Sequence, residues 1–323
     1  MISSLVYRHN KLVDTNPPVE SLFTLRDEPG VMLWVDLAAA TPDETKLILE
    51  QLFALHPLVI EDCTVDNPVP KLEAFDDYLF IVMHAVDYSK TDKFSTTELD
   101  LVLGRDFLLT FHAQPLRPVQ AAMERSIRSP QQPVRGPDRF AHTILDLMVD
   151  AYQPALHELR EELEDVEEAA LQNTPPEKLF PDVLSLRKDL AQLRQIVRPQ
   201  RAVVAELTQG KARFVRKVIV PYLRDLGEDL QRIESQAAGW ADQLILSFRV
   251  YLNKSNHEAG EGIRVLTSLT ALTLPPLIIG GWFGMNFDHM ELLGHDWAYP
   301  AAAALTLVCM GGMLLFMRKR HWI

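Results

Sequence analysis

The sequence predicts a cytosolic α/β domain, a long α-helical stalk and two C-terminal transmembrane helices, and three observations carry that prediction. β-rich runs alternate with helix starts in the first part of the chain. From about residue 138 the apolar residues recur at helical spacing, and after Pro221 nothing strong interrupts them. Two apolar spans free of charged side chains then close the chain. The boundaries expected from these shifts are 1–145 for the α/β domain, 146–264 for a helical bundle and stalk, and 265–323 for a transmembrane hairpin with an outer loop over 284–297.

In the first region Val31 to Leu37 is a short apolar run. Thr41-Pro42-Asp43-Glu44 then reads as a helix start, with Thr41 as cap, Pro42 in the first turn and Glu44 as the capping-box partner. Tyr78 to Met83, Leu99 to Leu103 and Phe107 to Phe111 are β-rich, and the Gly104-Arg105-Asp106 turn predicts a hairpin of the last two. Strands mixed with helices point to an α/β or α+β domain. Ser129-Pro130-Gln131-Gln132-Pro133, with Gly136-Pro137, marks a loop or boundary.

Beyond it Leu156, Leu159, Leu163, Val166 and Ala170 form one apolar stripe at three- and four-residue steps. The rest of that helix is rich in Glu and Asp, which reads either as a solvated face or as a cation-attracting surface. Thr174-Pro175-Pro176 breaks the helix, a second is expected from about Pro181 to Leu207, and Gly210 marks another turn. After Pro221 only Gly227, Gly239, Gly260 and Gly262 weaken a helix that runs to the membrane. Such length suggests a coiled-coil-like or bundled stalk.

The spans are Val265 to Phe283, 19 residues, and Ala298 to Met317, 20 residues. At about 1.5 Å per residue each covers the roughly 30 Å hydrocarbon core of a bilayer. Arg318, Lys319, Arg320 and His321 follow the second span, and Arg249, Lys254 and Arg264 precede the first. The 14-residue connection Gly284 to Trp297 has no Lys or Arg but carries Asp288, Glu291 and Asp296. Basic residues stay inside, so both termini are expected in the cytoplasm and the acidic loop outside. Trp282, Trp297 and Tyr299 stand where interfacial aromatics belong. Met1 to Asp14 lacks the apolar core of a signal peptide, so the C-terminal spans are expected to direct insertion.

Composition narrows the function. Lys and Arg number 32 against 44 Asp and Glu, and a net charge of −12 argues against nucleic acid as a partner. Two cysteines, Cys63 and Cys309, exclude a disulfide scaffold and a multi-cysteine zinc site. No Walker loop is found, hence no ATPase signature. Two spans cannot surround a polar path, so transport would require an oligomer with one helix per subunit on its axis. The first span is the better lining, because Thr267, Ser268, Thr270 and Thr273 offer hydroxyls that can face water or bond back to their own helix. Thr267, Thr270, Leu274, Leu277 and Gly281 share one stripe, and Asn286 follows at its outer end. A ring of Asn286 carboxamide oxygens would accept hydrogen bonds from the water shell that Mg²⁺ gives up reluctantly. Asp288, Glu291 and Asp296 would concentrate cations at the mouth. His289 and His295 are either ordinary loop residues or ligands suited to Zn²⁺, Co²⁺ or Ni²⁺.

Phe283-Gly284-Met285-Asn286-Phe287 resembles the signature of the CorA-type divalent-cation transporters, and the resemblance covers essentially the whole chain. His56 to Asp62, Pro70 to Glu73 with Asp77-Tyr78, and Leu103-Gly104 to His112 look like that family's cytosolic domain. Tyr251-Leu252, Ser255-Asn256 and Val265-Leu266-Thr267 look like its stalk-to-pore transition. The resemblance implies a funnel-shaped homopentamer in a bacterial inner membrane, with Gly284, Met285 and Asn286 as outer selectivity site. Leu266 and Leu274 would form a hydrophobic constriction that closes by dewetting, and cation bound between cytosolic domains would stabilise the closed state. The chain departs from the family at Met290-Glu291-Leu292, where the loop proline is missing, at Gly260 in place of a polar Asn, and at Leu277 in place of a threonine. Arg249 replaces an acidic residue linked to cation sensing, and an always-charged guanidinium would repel Mg²⁺ there.

The expected function is therefore passage of a divalent cation, Mg²⁺ and also Co²⁺, with self and the lipid bilayer as partners and no cofactor besides the transported ion. A Zn²⁺ carrier of the same family is one alternative, and a membrane-tethered sensor or scaffold is another. A hydrolytic site assembled from His56, Glu61, Asp62 and His84 finds no supporting motif.

Overall fold

Val31–Ala38 is apolar at nearly every position, which suits a strand covered on both faces rather than one with a wet side. A computed structural model describes residues 1–65, 67, 69–87, 94–130, 133–172, 174–209, 212–285 and 297–320, the side chain of Asp87 excepted. It divides the chain into two compact units, Met1–Leu246 and Ser247–Ile323.

In the first unit the strands are β1 (Ile2–Arg8), β2 (Lys11–Thr15), β3 (Val31–Ala38), β4 (Lys71–Ala74), β5 (Tyr78–Asp87), β6 (Ser95–Gly104) and β7 (Phe107–His112). They form one sheet in the order β2-β1-β3-β7-β6-β5-β4. Only β3 and β7, at its centre, run parallel. The expected hairpin is present, with Leu103 opposite Leu108.

Period-two alternation sends the side chains of β3 to two different layers. Leu33, Val35 and Leu37 join a core with Leu22 of α1 (Val19–Asp27) and with Val59 and Cys63 of α3 (Pro57–Thr64). Ile48 and Leu49 enter the same core from a π-helical stretch, Lys46–Leu52, that continues α2 (Pro42–Thr45). On the other face the Tyr7 and Trp34 rings each lie 5.1 Å from Phe140. Phe140 belongs to α5 (Pro137–Asp150), which follows α4 (Arg117–Arg128). Trp34 Nε1 donates to Thr110 Oγ1 at 3.2 Å, the Thr110 hydroxyl donates to Asp36 Oδ1 at 2.5 Å, and His112 Nε2 stands 3.0 Å from the same oxygen. A buried polar chain of this kind is tolerable only because its members partner one another.

The helix start at Thr41 forms as the sequence predicts. Glu44 N donates to Thr41 Oγ1 at 3.3 Å and Thr41 N to Glu44 Oε2 at 2.9 Å, a complete capping box. The stripe Leu156, Leu159, Leu163, Val166 and Ala170 is buried on α6 (Gln153–Leu171), which packs on α7 (Pro176–Thr208). The start of α7 differs from the expectation: it spans Pro176–Thr208, and Pro181 lies inside it rather than at its head. Pro175 takes the cap position, its carbonyl accepting from Lys178 N at 3.0 Å and Leu179 N at 3.2 Å, while Pro176 supplies a preset φ at the first helical position. Pro181 then costs one intrahelical donor within an otherwise formed helix. The long helix α8 covers Val220–Phe283, 64 residues, and α9 covers Ala298–Lys319. Gln131, Gln132, Gly210 and His321 lie outside the described residues.

Candidate ion pathway

Three features of the final stretch of α8 bear on cation passage: it carries no charge, it has a row of hydroxyls, and a glycine, Gly284, follows its last residue. From Val265 to Phe283 the helix continues through Pro275 and Pro276, which lack N–H groups and so leave the Ala271 and Leu272 carbonyls without their intrahelical donors. Hydrocarbon offers such carbonyls no partner, so a stretch of this kind belongs against protein or a water-filled axis. Leu266, Thr267, Thr270, Leu274, Leu277 and Gly281 are all exposed in the single chain. At about 100° per residue the six fall within an arc of roughly 100°.

The hydroxyls bond back along their own helix. Thr267 Oγ1 donates to Ile263 O at 2.7 Å, Thr270 Oγ1 to Leu266 O at 2.9 Å and Thr273 Oγ1 to Thr270 O at 2.9 Å. Each proton is thereby committed, and the oxygen keeps lone pairs that accept from water. Ser268 is different: it is buried, and its Oγ has no partner among the described residues.

The end of α8 explains the glycine of the tripeptide. Gly284 N donates to Gly280 O at 2.9 Å and Met285 N to Trp282 O at 3.4 Å. A Cβ at Gly284 would stand 2.9 Å from the Gly280 carbonyl oxygen, too close for any side chain without a backbone shift. Met285, the last described residue before Trp297, is exposed. Asn286, Asp288, His289, Glu291, His295 and Asp296 lie outside the described residues. α9 resumes at Ala298 and carries Arg318 and Lys319 in its last turn, where cations complement the helix dipole. Both α8 and α9 are long and apolar enough to cross a membrane, and only 6% of each apolar window is buried within the chain.

In the first unit the family-like blocks are held by local contacts. His56 caps α3, with Leu58 N donating to its Nδ1 at 3.3 Å and its own N–H donating to the Tyr78 hydroxyl at 2.9 Å. Lys71 Nζ bridges Asp62 at 2.6 Å and Glu73 at 2.9 Å. His84 Nε2 is 2.8 Å from the Asn67 carbonyl. His56 and His84 are thus each engaged by backbone, and Asp62 by Lys71. Arg249 is exposed on α8. Among the described residues no three His, Cys, Asp or Glu side chains stand together as a metal-binding group.

Sequence reasoning did not find the pairing of β6 with α3. Asp100 of β6 is buried beside Cys63, with Glu98 two residues away on the same strand face. Burial first, and the neighbouring Glu98 charge second, push the Asp100 carboxyl up to about 9. Burial and Asp100 together push the Cys63 thiol well up. The one available signal was a charged residue at an inward position of an apolar strand.

A unit built on one sheet, a helix of 64 residues and two helices long and apolar enough to cross a membrane have the build of a two-span membrane protein. A family described as "CorA-like Mg2+ transporter protein" matches residues 29–319. The chain belongs to that family. It is 27% identical to the cobalt/magnesium transport protein CorA of Thermotoga maritima over 94% of this chain and 87% of that protein. It is 28% identical to the putative metal ion transporter YfjQ of Bacillus subtilis over 99% and 98%. The complete structure of the CorA magnesium transporter from Methanocaldococcus jannaschii shares the fold, with a TM-score of 0.77 at 20% identity over 99% of this chain and 98% of that one.

Proposed function

We propose that a homopentamer of this chain admits hydrated Mg²⁺, and Co²⁺ alongside it, through an axis lined by the first span, with both termini in the cytoplasm of a bacterial cell and a ring of Asn286 as the outer selector. The observation that carries this reading is the exposed face of α8 from Leu266 to Gly281, charge-free and hydroxyl-bearing, which ends at the Gly284 turn. A neutral face does not hold a divalent ion back, and carboxamide oxygens contact its water shell without stripping it. Leu266 and Leu274 supply the constriction. Asp288, Glu291 and Asp296 draw cations to the mouth. An inward-negative potential supplies roughly 2.3 kcal/mol per charge per 100 mV, hence about 4.6 kcal/mol for a divalent ion, on the order of a thousandfold accumulation. Entry therefore needs no ATP.

The test is cation uptake into proteoliposomes holding the purified protein, with Mg²⁺, Co²⁺ and Zn²⁺ in parallel and Asn286→Ala as the control. Mg²⁺ and Co²⁺ uptake that falls at least tenfold in the variant is expected. Zn²⁺ uptake exceeding that of Mg²⁺ would move the assignment to a zinc carrier, with His289 and His295 the next targets. Absence of flux for every ion would leave a tethered sensor or scaffold.

A further inference from the structure

Five cations gather in one cleft of a chain whose net charge is −12. The cleft, about 410 Å³, opens where three segments meet: the β6–β7 turn brings Arg105, the approach to α5 brings Arg135, and the segment before α8 brings Arg213, Arg216 and Lys217. Asp138 is the single carboxylate in its lining. That carboxylate is 3% exposed and already taken: Arg216 Nε lies 2.9 Å from both of its oxygens, Arg216 Nη2 also donates to it, and the Arg216 backbone N–H adds a bond of 3.0 Å. Gly136 makes room for the pair, because a Cβ there would stand 2.7 Å from Arg216 Cζ. Arg213 Nη1 donates to the Asp76 carbonyl at 3.0 Å, which fixes the guanidinium and leaves its charge uncancelled. Among the described residues no carboxylate pairs with Arg105, Arg135 or Lys217. The α5 dipole is complemented by Asp138 within its first turn, so the positive field comes from the side chains.

We propose that this cleft binds a small polyphosphate anion, a nucleoside di- or triphosphate or pyrophosphate. Mutual repulsion opposes such a gathering of cations, and an anion spanning them removes that cost. Guanidinium forks match phosphate oxygens in bidentate geometry. Cations spread over a cavity of this size suit consecutive phosphates rather than a single one, and the volume lies in the range of small-ligand sites. Phe214 in the wall is half-buried, with the Arg213 guanidinium 6.0 Å from its ring centroid, so a base stacking there would meet an aromatic ring with a cation beside it. A long polyanion such as nucleic acid would meet the acidic remainder of the chain and is disfavoured.

Binding of radiolabelled ATP to the full-length protein in detergent micelles tests the site, and it does so whether or not the protein conducts. Saturable binding displaced by pyrophosphate is expected, weakened at least tenfold by Arg135→Ala combined with Lys217→Ala, both exposed positions. Arg128→Ala, a cation of α4 outside the cleft, leaves it unchanged. Arg216→Ala is avoided because it would strand the buried Asp138 charge. Absence of saturable binding, failure of pyrophosphate to compete, or affinity unaltered in the Arg135→Ala, Lys217→Ala protein would each overturn the proposal.

Discussion

Asp100 shows how one side chain couples the core to pH. Its neighbour Glu98 accepts Asn67 N at 2.6 Å and Asn67 Nδ2 at 2.9 Å, whereas Asp100 Oδ1 has no partner among the described residues. Burial without that compensation, with the Glu98 charge beside it, raises the Asp100 pKa from an ordinary 3.8 to about 9. The folded chain holds that proton between these values and the unfolded chain does not. Its stabilising contribution is complete below about 3.8 and is lost as pH rises towards about 9. One proton of difference gives a slope of about 1.4 kcal/mol per pH unit. Asp100→Asn keeps the shape of the neutral acid without titrating. The variant is expected to gain stability relative to the parent as pH rises from 5 to about 8.5, followed by denaturant unfolding. Parallel curves for the two proteins would show that Asp100 is ionised in the fold. None of this was legible in the sequence, because Cys63 and Asp100 are distant along the chain and meet only when α3 packs on the sheet. The basic cleft was hidden for the same reason: Arg105, Arg135 and Arg216 belong to three segments that no short-range pattern connects.

At the scale of elements, what depends on near neighbours could be read and what depends on distant pairing could not. The capping box at Thr41 joins residues three apart, and the α6 stripe is a matter of periodicity alone. Replacing Thr41 by Ala should cost about 1 kcal/mol of stability, with Thr41→Ser close to the parent, as read from urea midpoints. Equal midpoints for all three proteins would mean that Pro42 alone sets the start of α2. The first strand escaped notice because Ser4 to Tyr7 are buried in succession, so no polar–apolar alternation marks it. The parallel pairing of β3 with β7 depends on a meeting across most of the domain, which composition does not record. Pro181 misled in a different way. Proline is a reliable helix start only where nothing earlier can start one, and Pro175-Pro176 does so here. The length of α8 was readable because a missing breaker is as local a signal as a present one.

For the whole molecule the decisive quantity is exposed apolar surface. Leu266, Leu274, Leu277 and Trp282 on α8, and Leu307, Val308, Leu315 and Phe316 on α9, are all exposed in the single chain. Lipid can cover one such helix completely, but it cannot cover the freed carbonyls of Ala271 and Leu272. The two helices should therefore have different surroundings in the membrane, α8 against its own copies and α9 against lipid. The sequence points to the same division, since hydroxyls mark the first span and Ala, Leu, Val and Met fill the second. A single cysteine reports it directly, since Cys63 is buried and Cys309 can be removed. In a Cys309→Ser background, Leu277→Cys should give a cross-linked dimer with a short bis-maleimide in native membranes, seen on a non-reducing gel. Leu307→Cys on α9 should remain monomeric under the same treatment. Cross-linking at Leu307 with none at Leu277 would put α9 on the axis, and the lining face proposed for α8 would then have to be abandoned.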